Sequence, residues 1–216
     1  MEDVLREIAS NLYDGEDKEV AGLVQEALDS GIAPQEILSA GLIAGMDKVG
    51  KDFKAGLLYV PEVLRTARAM VAGMEILRPL LAQSDAGFNA DKCIIGTVKG
   101  DLHDIGKNLV KMMLEGAGFE MVDLGTDVGP EAFVAAVHQH QPKLLALSAL
   151  LTTTMSYMRA TIEALTASGL RDSIKIMIGG APVTAAFATQ IGADAYAPDA
   201  ASAVDVARTL VGLAKK

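Results

Sequence analysis

The chain has 216 residues, half of them hydrophobic, one cysteine and a formal net charge of −9. That length holds one large or two small domains with a core that needs no staples. The acidity argues against nucleic acid or anionic membrane as a partner, because phosphate contacts need clustered Lys and Arg, and the lone Cys93 excludes an internal disulfide and fits a reducing, cytoplasmic setting.

The start, Met1-Glu2-Asp3-Val4, lacks the basic stretch and apolar run of a signal peptide. No window of about 18 uncharged apolar residues predicts a membrane span. Up to about residue 82 the apolar residues recur with helical period only. Asp17 opens a predicted helix through Val20, Leu23, Val24, Ala27 and Leu28, which Gly31 ends. Pro34 sits in the first turn of the next, with Ile37, Leu38 and Leu42 on one face. A boundary falls at Lys51 to Tyr59, after which Pro61 starts a helix carrying Leu64, Met70, Val71, Met74 and Leu77 until Pro79. Four helices with short connections suggest a small bundle.

Residues 83–91 concentrate turn formers and make the best linker, so the expected domains are a helical cap over 1–86 and a second domain over 91–216. In the latter, short apolar runs at Cys93 to Val98, Phe119 to Val122, Leu144 to Leu147, Ile174 to Ile178 and Ala193 to Ala197 alternate with helical stretches. These stretches are Asn108 to Glu115, Glu131 to His140, Tyr157 to Ala167, Val183 to Ile191 and Ala203 to Leu213. The alternation predicts a flavodoxin/Rossmann-like five-stranded parallel sheet with helices on both faces.

Ligands of such sheets lie beyond the carboxyl ends of the strands. The loop after the first strand is Gly100-Asp101-Leu102-His103-Asp104-Ile105-Gly106, that after the third begins Ser148-Ala149-Leu150 with Thr152, Thr153 and Thr154 behind it, and that after the fourth begins Gly179-Gly180. His103 has a carboxylate two positions before and one after it; either can accept the Nδ1 proton and leave Nε2 free for a metal. A single imidazole is too little for a bare zinc site, and His138 and His140 belong to a solvated helix end. One histidine suits a metal that arrives with most of its coordination filled, as in a tetrapyrrole-like macrocycle. Gly106, Gly179 and Gly180 let backbone lie close to a bulky ligand, and the helix start near Lys107 can offer amides to a phosphate.

Asp101-Leu102-His103-Asp104-Ile105-Gly106, followed by Ser148-Ala149-Leu150 and Gly179-Gly180, resembles the signature of cobalamin-binding domains found in cobalamin-dependent methionine synthase and in the corrinoid proteins of methanol and methylamine methyltransferase systems. The stretch Gly45-Met46-Asp47-Lys48-Val49-Gly50, then Phe53 and Tyr59-Val60-Pro61-Glu62-Val63, is similar to the helical cap that precedes that domain. The resemblance implies base-off cobalamin with His103 as lower ligand to cobalt and Asp101 hydrogen-bonded to His103. Thr154 falls where methionine synthase has a serine completing the ligand triad. Ser148 would bond the benzimidazole nitrogen, with Leu150, Gly179 and Gly180 lining its slot; Gly100, Leu102, Asp104, Ile105 and Gly106 would complete the loop under the corrin. Thr152 and the Asp199-Ala200 turn match tail-contacting positions, and Phe53 and Val60 match cap positions over the methyl face. Each has a plain counterpart: Asp104 can cap the next helix, Gly179-Gly180 can be an ordinary turn, and Phe53 and Val60 can be core.

The function implied by the resemblance is that of a methyl carrier, a cofactor-carrying component rather than a complete enzyme. Co(I) takes a methyl group from a substrate:corrinoid methyltransferase, methylcobalamin forms, and a second methyltransferase passes the group to tetrahydrofolate or a thiol. A reductive activase is the implied third partner, and a hinge within residues 83–91 would let the cap move aside. The alternatives are a radical mutase subunit, a cobalamin-binding sensor and a flavodoxin-like nucleotide binder; the last leaves the linked motifs unexplained.

Overall fold

A computed structural model describes residues 2–83 and 91–213. The expected linker and hinge, but for Gln83 and Asp91, lie outside the described residues. The chain divides into one unit over Met1–Ala90 and another over Asp91–Glu115 and Phe119–Lys216. No helix among the described residues is long and apolar enough to cross a membrane.

The first unit is helical. Helix α1 (Glu2–Asp14) buries Leu5, Ile8 and Leu12, and α2 (Asp17–Asp29) buries Val20, Val24 and Ala27, the three- and four-residue steps of one helical face. Pro34 opens α3 (Pro34–Glu36), which passes through a π-helical segment, Ile37–Ile43, into α4 (Ala44–Lys54). The motif glycine Gly45 is a packing residue, since a Cβ there would stand 2.9 Å from the Ala9 carbonyl oxygen on α1. Helix α5 (Val60–Gln83) starts one residue before the expected proline, and the Glu62 carboxylate accepts from the Tyr59 backbone N–H at 2.9 Å, half of a capping box.

Two expectations for α5 fail. Pro79 does not end it, because Leu77 and Leu81, one turn apart, are both core residues and hold the last turn in helical conformation. The buried stripe is Val63, Ala67, Met70, Leu77 and Leu81, whereas Leu64 and Val71 are exposed.

The second unit is a parallel sheet of β1 (Lys92–Thr97), β2 (Glu120–Asp123), β3 (Leu144–Ser148), β4 (Lys175–Gly179) and β5 (Ala195–Tyr196), in the order β2-β1-β3-β4-β5. The helices are α6 (Ile105–Gly116), α7 (Pro130–His140), α8 (Ser156–Ala167), α9 (Ala185–Ile191) and α10 (Ala200–Leu210). The central strands β1 and β3 read as apolar runs because both their faces are covered. Ile94, Leu145, Leu147, Ile176 and Ile178 meet Phe133, Val137, Met158, Ile162, Leu165 and Ile191 of α7, α8 and α9. Helix α10 packs on β4 and β5. It begins three residues earlier than expected because Asp199 caps it, accepting from the Ser202 N–H at 2.7 Å.

The fold class is therefore the expected one, a helical N-terminal region followed by a five-stranded flavodoxin-like sheet. In this strand order the winding reverses between β1 and β3, with β2 added on one side of β1 and β3 to β5 on the other, so the crevice beyond the carboxyl ends of β1 and β3 is where a doubly wound sheet places its ligand.

Candidate functional site

The loop leaving β1 and the loop leaving β3 are joined at that crevice through one carboxylate. Asp101 is fully buried, and all its acceptor capacity is used. Its Oδ1 accepts from the His103 backbone N–H at 3.1 Å and lies 2.7 Å from His103 Nδ1. Its Oδ2 accepts from the N–H groups of Leu150 and Leu151, at 2.7 and 3.1 Å, and from the Thr154 hydroxyl at 2.9 Å. Burial pushes the Asp101 carboxyl up, but the hydrogen bonds from His103, Leu150 and Thr154 outweigh it and hold the group below the usual carboxylate range. A buried anion with this many donors is a fixed acceptor for the His103 Nδ1–H, which leaves Nε2 with a free lone pair.

Of the two carboxylates flanking His103, only Asp101 holds the ring. Asp104 instead accepts from the Asn108 side-chain amide at 3.1 Å, and its carbonyl accepts from the Asn108 N–H at 2.7 Å to begin α6. The buried Thr97 hydroxyl donates to the His103 carbonyl at 2.8 Å and fixes the backbone below the ring. The imidazole itself is half exposed, with 51% of its side-chain surface open. Leu102, Ile105, Leu150 and Leu151 are exposed on the same two loops. Four large apolar side chains open to solvent beside one histidine make a surface suited to a broad apolar ligand.

Ser148 closes β3 beside Thr97 on one side and Gly179 on the other. Gly180 has φ +133, and a Cβ there would stand 1.9 Å from the Ala149 carbonyl oxygen, so only glycine lets the β4 loop pass the β3 loop. A Cβ on Gly179 would lie 3.1 Å from the Ala197 oxygen. Gly106 is the reverse case: nothing lies within 4 Å of where its Cβ would be. Thr152 is exposed in the turn ahead of Thr154, Asp199 is the α10 cap and Ala200 is buried behind it. In the helical unit, Phe53 is half-buried on α4 and Val60 is exposed at the start of α5. Cys93 is buried, and burial pushes its thiol up, away from the reactive thiolate. Among the described residues, no group of three or more His, Cys, Asp or Glu is placed to hold a metal ion.

Sequence reasoning missed two parts of this region. Lys107, in the first turn of α6, is buried and donates to both Asp123 carboxylate oxygens at 2.7 Å and to the side-chain Oδ1 of Asn108, also at 2.7 Å. Burial raises the Asp123 carboxyl, but Lys107, the Gly125 N–H and Lys111 lower it below its ordinary value. The two residues are far apart in the chain, and only the pairing of β2 beside β1 unites them. The second is Asp127, whose φ of +56 is rare outside glycine. No spacing in the sequence marks it.

The chain matches a B12 binding domain family over residues 91–205 and a second B12 binding domain family over residues 4–78. It is 42% identical over 210 residues to dimethylamine corrinoid protein 1 of Methanosarcina acetivorans, covering 97% of this chain and 98% of that protein. Among solved structures, a cobalamin-binding protein from Desulfitobacterium hafniense matches 96% of this chain and 98% of its own at 34% identity and a TM-score of 0.79. A chain of the methanol:cobalamin methyltransferase complex of Methanosarcina barkeri matches 99% of this chain and 81% of its own at 29% identity and a TM-score of 0.87. With both of its units matched in this way, the chain belongs to the corrinoid proteins of the methylamine and methanol methyltransferase systems.

Proposed function

We propose that this chain binds cobalamin base-off, with His103 as the lower axial ligand, and carries a methyl group between two methyltransferases. The supporting observation is the Asp101–His103 pair, in which a wholly buried, fully engaged carboxylate stands 2.7 Å from Nδ1 of a half-exposed ring. That arrangement fixes the tautomer and directs Nε2 outward as a single nitrogen ligand. The residues present fit the group. One ligand suffices for cobalt held in a corrin, the exposed Leu102, Ile105, Leu150 and Leu151 offer it an apolar bed, and the open space at Gly106 admits it closely.

When bound, the corrinoid supplies a cobalt centre that accepts and releases a methyl group. The chain's own part is to hold and orient. Asp101, with Thr154 behind it, sets how firmly His103 can act as a ligand. Gly100, Leu102, Asp104, Ile105 and Gly106 form the loop beneath the ring, and Ser148, Leu150, Gly179 and Gly180 line the slot for the nucleotide tail. Thr152 and the Asp199-Ala200 turn contact the same tail. Residues 91–216 act as the cobalamin domain and 1–86 as a cap, with Phe53 and Val60 over the methyl face. The donor is a substrate:corrinoid methyltransferase, the acceptor protein a methyltransferase using tetrahydrofolate or a thiol, and a reductive activase restores the cobalt. A single buried thiol suits the reducing cytoplasm for all of them.

The test is to load the purified chain with hydroxocobalamin, remove free cofactor and record the visible spectrum beside His103→Ala and Thr154→Val. Near-stoichiometric retention is expected, with a histidine-ligated spectrum that His103→Ala loses and Thr154→Val weakens. Retention with a spectrum unchanged in His103→Ala removes the ligand assignment, and no retention by the wild type removes the carrier reading.

A further inference from the structure

The Asp101–His103 pair stands on a backbone turn, and that turn is held from outside by a residue with no other evident task. Val98 to Asp101 form a four-residue turn closed by the Asp101 N–H on the Val98 carbonyl at 3.1 Å, with Gly100 in the left-handed region at φ +79. Asp127, in the loop between β2 and α7, grips this turn twice. Its carboxylate accepts from the Gly100 N–H at 2.7 Å, and its own N–H donates to the Asp101 carbonyl at 3.0 Å. Both groups of Asp127 can reach only because its backbone takes φ +56, which aspartate and asparagine tolerate better than other side chains. Strained backbone of this kind persists where the surroundings over-determine it, often beside functional groups.

We infer that Asp127 is a positioning residue for cobalt ligation: it locks the Gly100–Asp101 peptide so that the buried carboxylate presents Oδ1 to His103 at one fixed angle. The inference rests on His103 being the lower ligand. Asp127 bonds to Gly100 and Asp101 rather than to the His103 ring, so its effect on ligation passes through the turn that carries Asp101. Removing its carboxylate frees the Gly100 N–H, lets the turn rock and loosens the Asp101–His103 geometry while the sheet stays intact.

The test compares Asp127→Asn, which keeps an acceptor oxygen and tolerates the left-handed conformation, with Asp127→Gly, which keeps the conformation and loses the acceptor. Each full-length variant is loaded with hydroxocobalamin, and the ratio of histidine-ligated to unligated cofactor is read from the visible spectrum. The Gly100 amide exchange rate and the His103 imidazole ¹⁵N shifts are read without cofactor. Asp127→Asn is expected to match the wild type. Asp127→Gly is expected to lower the ligation ratio roughly threefold to tenfold, the range for one hydrogen bond, with faster Gly100 exchange, a moved imidazole shift and an unchanged melting temperature. A wild-type ligation ratio and imidazole shift in Asp127→Gly overturns the inference, as does equal impairment in Asp127→Asn. If His103→Ala leaves the wild-type spectrum unchanged, the ligand reading fails, and the inference falls with it; a failing Asp127 series beside a responsive His103→Ala overturns the inference alone.

Discussion

The Asp101 carboxylate and the His103 ring stand 2.7 Å apart, the first wholly buried and the second half open to solvent. The contrast has an energetic consequence. A carboxylate removed from water is costly unless its lone pairs are filled, and here donors from His103, Leu150, Leu151 and Thr154 fill them. The rigidity needed to aim an imidazole is thus built into the folded state before any ligand arrives.

Asp101→Asn is expected to cost the cofactor-free protein about 2–3 kcal/mol at pH 7, because an amide turns one acceptor into a donor facing donors. The pH dependence follows from the lowered carboxyl of Asp101. A group whose folded pKa is depressed contributes stability that is fully present above its unfolded value near ~3.9 and is lost as pH falls through the folded value. The wild-type advantage over Asp101→Asn should therefore be flat from pH 7 to about 5 and shrink below about 4. Urea unfolding of both proteins across that range checks it; an advantage that grows toward acid would show the carboxyl is not held ionised.

Much of this site was legible in the chain because the chemistry sits on contiguous residues. Asp101 and His103 occupy the loop between β1 and α6 and Gly106 the first turn of that helix, and alternating apolar runs announced the parallel sheet that places them. What stayed hidden depends on contacts across strands. The residues by themselves leave Asp101 and Asp104 both open as partners of His103, with the family resemblance alone pointing to Asp101, and Lys107 and Asp123 look like ordinary surface charges until β2 is set beside β1. Pro79 misled because proline rules describe isolated helices, and burial of Leu81 overrides them.

The Lys107–Asp123 pair gives a second prediction. Lys107→Met leaves the Asp123 carboxylate without its main partner and is expected to destabilise by about 3 kcal/mol. Adding Asp123→Leu removes the stranded charge, so the double variant should recover most of the loss. Denaturant midpoints of the two single variants and the double variant form the cycle. A double variant no better than Lys107→Met would mean that the lysine stem, not its charge, supports the first turn of α6.

Two glycines separate the fold from the ligand space. Gly180→Ala drives a Cβ to 1.9 Å from the Ala149 oxygen at a φ of +133, so it should cost about 3–5 kcal/mol through forced movement of the β3 and β4 loops. Gly106→Ala meets nothing within 4 Å and lies in the first turn of α6. There alanine is the better helix former, and the cofactor-free protein should be as stable as the wild type or up to ~1 kcal/mol more so. If the corrinoid lies against this backbone, the same methyl group must clash with it, and hydroxocobalamin retention should fall by about tenfold, roughly 1.4 kcal/mol. Thermal unfolding without cofactor and equilibrium dialysis with it measure the two effects separately. Stability preserved and affinity lost would put the corrinoid against Gly106; affinity preserved as well would move it away from this loop, and with it the role of Ile105 and Leu102 as its apolar bed.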